Sequence, residues 1–177
     1  MEMLMLIPKW LGKVNDLIAW VVKIFLVIIV AVLVGVVFYA VLSRTLINAS
    51  IAWAEELSRI LFIWLVFGGA VLALRSKEHL GLTMLVDRLK PKSQLIFEVI
   101  SWILVIIVTM AMIEGGEKIV SVVKFARTPA LGLPSSLKYQ AVLTAGYLMI
   151  LISIEHLIEA FGRLLQNLRH KKEEVGE

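Results

Sequence analysis

A chain of 177 residues that is 60% hydrophobic, only 18% charged and has a mean hydropathy of +0.91 is too apolar for a soluble domain, and predicts an all-α membrane protein. That length holds about four spans of roughly 20 residues with their connections, and leaves no room for a separate soluble domain. The formal charge of +4 reports on orientation before any acidic ligand, so nucleic-acid binding is not implied, and the lack of cysteine excludes disulfides, iron–sulfur clusters and thiol catalysis.

The amino end carries Lys9 and Lys13 ahead of a long apolar run, which superficially resembles a secretory signal. Ile24 to Ser43 is uncharged and longer than the roughly 7–15 residues of a signal core, so a true span is expected over about 17–42. At 1.5 Å per residue that segment is about 39 Å long against roughly 30 Å of hydrocarbon, so it should tilt or protrude. A short polar link with Arg44 leads to a second span over about 53–74, which opens on Trp53 and carries Glu55, Glu56 and Arg59 before becoming purely apolar. The chain then turns polar at Arg75, Lys77 and His79. Leu82, Leu85, Val86 and Leu89 follow at offsets of 3, 4 and 7, with Asp87, Arg88 and Lys90 opposite them. This pattern predicts a short amphipathic interfacial helix over about 80–90, stopped by Pro91.

A third span is expected over about 95–113, flanked by Glu98 on one side and by Glu114 and Glu117 on the other, with Gly115-Gly116 permitting a bend. The segment R-T-P-A-L-G-L-P-S-S from Arg127 to Ser136 rules out a continuous helix, and an extracytoplasmic loop is expected over about 118–138. A fourth span over about 139–161 finishes through Glu155, His156 and Glu159, and the polar tail 164–177 should fray. Four spans place Lys9, Lys13, Arg75, Lys77, Arg88, Lys90, Lys92, Arg163, Arg169, Lys171 and Lys172 on one side, against Arg44, Lys118, Lys124, Arg127 and Lys138 on the other. Both termini are therefore expected in the cytoplasm.

Charge entering a bilayer helix is expensive, which makes Glu55, Glu56 and Arg59 the first candidates for function. The carboxylates lie four and three residues before the arginine, so either can reach it along one helix face, near the positive end of the helix dipole. Three readings stand: a self-neutralising cluster; an anchor to another helix or subunit, with Glu56, Arg59, Ile63, Phe67 and Ala70 in one stripe; or part of a pore in a self-sufficient oligomeric carrier or channel. Glu155, His156 and Glu159 have the spacing of a proton relay, but their place at a span end favours interfacial solvation. Trp10, Trp53 and Trp102 suit the interfacial belt, and Trp64 suits packing. No serine–histidine–acid order, phosphate loop or metal-ligand spacing is present, so no catalytic residue and no metal site is predicted.

The stretch W-A-E-E-L-S-R-I-L-F-I-W-L-V-F-G-G-A (Trp53 to Ala70), the R-x-x-x-H turn at Arg75 to His79 and T-P-A-L-G-L-P at Thr128 to Pro134, set in a four-span layout, resemble the small-permease (DctQ-like) subunit of the tripartite ATP-independent periplasmic (TRAP) transporters. The resemblance implies a non-enzymatic subunit of a bacterial or archaeal inner membrane. A periplasmic substrate-binding protein would deliver an organic acid to this subunit and a large multi-span permease. The large subunit would hold the substrate and sodium sites and move as an elevator; no cofactor is expected on this chain. The resemblance assigns scaffold contacts to Glu55, Glu56 and Arg59, with Trp53, Ile63, Phe67 and Ala70 of the same helix as further subunit-interface candidates, and binding-protein docking to the loop holding Thr128, Pro129, Leu131, Gly132 and Pro134. Arg75, Lys77, His79 and Arg88 are left to face membrane lipids.

Overall fold

The computed structural model describes the backbone of residues 2–47, 51–76 and 91–175, with side chains over 11–46, 51–76 and 93–167. These residues form four helices, α1 (Glu2–Ile47), α2 (Ala52–Arg75), α3 (Pro91–Val122) and α4 (Ser136–Val175). Each contains a segment long and apolar enough to cross a membrane: Leu11–Leu46, Ala52–Arg75, Ser93–Val122 and Ser136–Asn167. The fold is thus the all-α, four-span class expected. The interfacial helix over about 80–90 lies outside the described residues, as do Lys77, His79 and Arg88.

Several boundaries move. α1 extends well beyond 17–42 in both directions, running from Glu2 through Pro8 and Gly12 to Ile47. α3 continues past 113 through Gly115-Gly116 to Val122, supported by a Lys118–Glu114 pair at 2.6 Å, one helical turn apart. The loop expected over 118–138 contracts accordingly to 123–135. The backbone of α4 is helical through the tail to Val175, since Leu, Gln, Arg, Lys and Glu are strong helix formers and no glycine or proline follows Gly162 until Gly176. α2 starts after Ile51 in extended conformation (φ −106°, ψ 94°), without a side-chain cap; Glu55 in its first turn and Arg75 in its last complement the helix dipole.

α4 touches each of the other helices, α3 packing along it and α1 along α2. The core joins Val71 and Leu74 of α2, Trp102 of α3, and Ala145, Ile152 and Ala160 of α4, with Phe67 and Leu148 packed against it. Glycines set the closest crossings. A Cβ at Gly68 would lie 2.7 Å from Leu26 Cδ2, and one at Gly146 would lie 2.6 Å from Ile113 Cγ1. Within a bilayer, where lipid tails are as apolar as leucine, such close approach supplies the packing that holds helices together. α1 and α3 keep broad exposed apolar faces, including Val27, Ile28, Val34, Ile107 and Val108, as lipid-facing helices do.

Candidate functional site

Polar side chains gather at the two ends of the bundle. At the first end, Arg75 closes α2 and reaches both α1 and α4. Its Nη1 donates to Glu155 Oε2 at 2.8 Å, its Nη2 to Asp16 Oδ1 at 2.7 Å and to the Gly12 carbonyl at 3.3 Å, and its Nε to Asp16 Oδ1 at 3.1 Å. Asn15 Nδ2 donates to the same Glu155 oxygen. The guanidinium fork suits this geometry, since it can satisfy two carboxylates and a carbonyl at once. Gly12 leaves the room: a Cβ there would stand 3.0 Å from Glu155 Oε1. Glu155 is 2% exposed and enclosed with these partners, whereas Asp16 faces outward.

Beside this network His156, 4% exposed, stacks on Trp102 with ring centroids 4.6 Å apart, and its Nδ1 lies 3.7 Å from Glu159. Three expectations are corrected here. Glu155 and His156 are enclosed rather than solvated at an interface, because α4 sits centrally and both residues face its neighbours. Trp102 is a core residue, 3% exposed, and not part of a belt. Arg75, expected to face headgroups, is instead drawn inward by two carboxylates. Gly12, Asn15 and Asp16 were not singled out from sequence. The available signal was depth: in an alternating four-span layout Asp16, Arg75 and Glu155 all fall where a span meets the same membrane face, with complementary charges.

At the other end, the connection from α3 to α4 is a compact turn. Thr128 N–H donates to Leu133 O at 2.8 Å, Gly132 N–H to Thr128 O at 3.0 Å, and Ser135 N–H to Ala126 O at 2.8 Å. Gly132 takes φ 65°, the left-handed region that a side chain disfavours. Glu56 holds this turn onto α2: its Oε2 accepts the N–H groups of Ala130 at 3.0 Å and Leu131 at 2.9 Å. Arg127 Nη1 donates to the Gly132 carbonyl at 3.0 Å, and Trp64 Nε1 donates to Leu137 O at 3.2 Å. Trp64 also meets Phe25 edge to face, so it packs as expected, while Trp53 stacks with Tyr39 at 5.9 Å.

The expected Glu55/Glu56/Arg59 cluster is therefore divided. Among the described residues neither glutamate forms an ion pair with Arg59, because two backbone N–H groups of the turn capture Glu56. Glu55 and Arg59 point outward, and with Glu56, Ala52, Thr128, Pro129, Ala130, Ser135 and Lys138 they line an open cavity of about 360 Å³. Of the stripe expected below them, Ile63 and Ala70 are half-buried and Phe67 packs against this chain's own core. In the turn, Thr128 is buried, Leu131 is half-buried, and Pro129, Gly132 and Pro134 are exposed.

Taken together, the four apolar helices, tied to one another by charged side chains near both ends, define an integral membrane subunit. The family model described as "Tripartite ATP-independent periplasmic transporters, DctQ component" matches residues 33–163. A Haemophilus influenzae protein named as a TRAP transporter small permease is 38% identical over 138 residues, covering 77% of this chain and 84% of that one. The sialic acid TRAP transporter small permease protein SiaQ of Vibrio cholerae is 27% identical over 143 residues, covering 81% and 83%. The chain belongs to the DctQ family: it is the small permease subunit of a TRAP transporter, a multi-pass inner-membrane transport protein and not an enzyme.

Proposed function

We propose that this subunit is the fixed scaffold partner of a large multi-span permease in sodium-coupled, binding-protein-dependent uptake of an organic acid. Both termini lie in the cytoplasm, in keeping with the basic-residue asymmetry, and the 123–135 turn faces outward, where its exposed Pro129, Gly132 and Pro134 meet the periplasmic binding protein. Substrate and sodium are held by the large subunit, with no cofactor on this chain. The acid class is supported by the relative named for sialic acid. The observation that carries the reading is the Glu56 carboxylate on the Ala130 and Leu131 N–H groups, which makes the turn one rigid piece with α2. A docking surface ordered in advance loses little conformational freedom on binding.

The test is affinity recovery of this chain from gently solubilised native membranes, paired with uptake in a deletion strain. A co-purifying large permease and abolished uptake support the reading. A lone oligomer with normal uptake in the deletion strain would refute it, and ion or acid flux through the purified chain alone in liposomes would favour a self-sufficient carrier.

A further inference from the structure

One level can be traced through all four helices. Phe25 of α1, Gly68 of α2 and Ala145 of α4 line a common crevice, and the neighbouring Gly146 meets Ile113 of α3. The register holds away from that level. Tyr39 stacks with Trp53 and Asp16 pairs with Arg75, so α1 and α2 run antiparallel in step; Gly116 meets Leu143 and Glu98 pairs with Arg163, so α3 and α4 do the same.

The uncharged runs do not share that level. Those of α2 (60–74) and α4 (139–154) straddle it. The run of α1, 24–43, begins there and lies wholly toward the 123–135 turn, whereas the run of α3, 99–113, stops there and lies wholly toward Arg75. The midpoints of these two runs are offset by about 16 residues along the bundle, about 24 Å at 1.5 Å per residue. α1 packs on α2 and α4, and α3 along α4, which sets α1 and α3 on opposite flanks.

A bilayer set square to the helices would be centred by α2 and α4, and would hold the exposed Lys23, Glu114, Glu117 and Lys118 near its middle. Ionisable side chains at that depth ordinarily face a bundle interior or a water-filled cavity, not lipid. A slanted bilayer removes the conflict, because it rides high on one flank and low on the other. Across two helix spacings, about 16–20 Å, a tilt of about 40° absorbs about 13–17 Å of the offset. Lys23 and Lys118 reach the headgroups along their apolar stems for the remainder, and local thinning accommodates the shorter α3 run.

We infer that the bilayer crosses this bundle obliquely, with a lipid belt that descends from residues 24–43 of α1 to residues 99–113 of α3 and leaves the outer turns of α3, from Glu114 to Val122, standing in the periplasm. Val122, 82% exposed, then belongs to the water-facing surface beside the 123–135 turn. The slant is independent of the scaffold reading; calling that end of α3 periplasmic rests on the orientation proposed with it.

The chain has no cysteine, so single cysteines can be read one at a time in native membranes. Positions 28 and 118 share one level of the bundle, as do 17 and 107, and all four are exposed. The thiolate is the form that reacts with a membrane-impermeant maleimide, and it forms where water reaches the sulfur. Added outside, the reagent should modify Lys118→Cys at least about tenfold faster than Ile28→Cys; in inside-out vesicles it should modify Leu17→Cys at least about tenfold faster than Ile107→Cys. Nitroxides at the same positions, read by oxygen against a water-soluble nickel complex, should report unequal depths within each pair. Equal depths and equal protection within both pairs would mean an upright bundle and overturn the inference. So would protection at 118 together with large-permease adducts from a photoreactive residue there, which would put these charges in a protein interface within the bilayer. Modification of 118 from the cytoplasmic face alone would keep the slant and overturn the periplasmic assignment.

Discussion

Replacing Arg75 by methionine keeps the apolar stem of the side chain and removes only the guanidinium, so it isolates the charge at the meeting point of α1, α2 and α4. The two carboxylates contribute unequally. The Asp16 leg is 2.7 Å long, but Asp16 is 71% exposed, so water replaces the contact and its loss costs about 0–1 kcal/mol. The Glu155 leg is 2.8 Å long to a carboxylate whose side chain is 3% exposed, and breaking a buried pair costs about 3–5 kcal/mol. At about 2–4 °C per kcal/mol for a chain of this size, the melting temperature of the purified subunit should fall by roughly 6–20 °C. Asp16→Asn should shift it by no more than about 4 °C on the same scale. The double variant Arg75→Met/Glu155→Met should recover most of the loss, because an apolar replacement leaves no charge stranded, with a coupling of at least about 2 kcal/mol in the cycle. Additive single effects, or an Asp16 variant as damaging as the Arg75 variant, would refute the assignment of the stability to the buried leg.

Gly146→Val should destabilise the α3–α4 crossing by about 1–3 kcal/mol in thermal unfolding, since its Cβ would meet Ile113 at 2.6 Å, whereas Gly162→Ala meets nothing within 4 Å and should stabilise by up to about 1 kcal/mol. Glu56→Ala should strip hydrogen-exchange protection from the Ala130 and Leu131 amides, while Glu56→Gln, which retains an acceptor oxygen, should keep most of it. Lys118→Ala should leave the melting curve unchanged, because its pair with Glu114 is exposed on both sides; a clear loss would mean that this end of α3 is enclosed.

The sequence made the number and type of spans legible because a bilayer demands long uncharged runs, and it made the turn legible because Pro129, Gly132 and Pro134 cannot continue a helix. It was weaker on helix ends, since the apolar run of α1 stops at the hydrocarbon while the hydrogen-bonded backbone continues past it. Side-chain partners were the least legible. Glu55, Glu56 and Arg59 are equivalent as spacing, but which of them turns inward is decided by a loop 74 residues away in sequence. Arg75 likewise resembled a headgroup contact until α1 and α4 were brought beside it.

The distance along the chain between Arg75 and Glu155, 80 residues, has a consequence for how the protein is made. At about 5–20 residues per second, the arginine leaves the ribosome roughly 4–16 s before the glutamate that completes its shell. In that interval Asp16 and the Gly12 carbonyl are the ligands already synthesised. α4, which enters the bilayer after α1 and α2, is therefore the latch for those two, and a defect at Glu155 should appear first as chains inserted in the right order but left open for proteolysis.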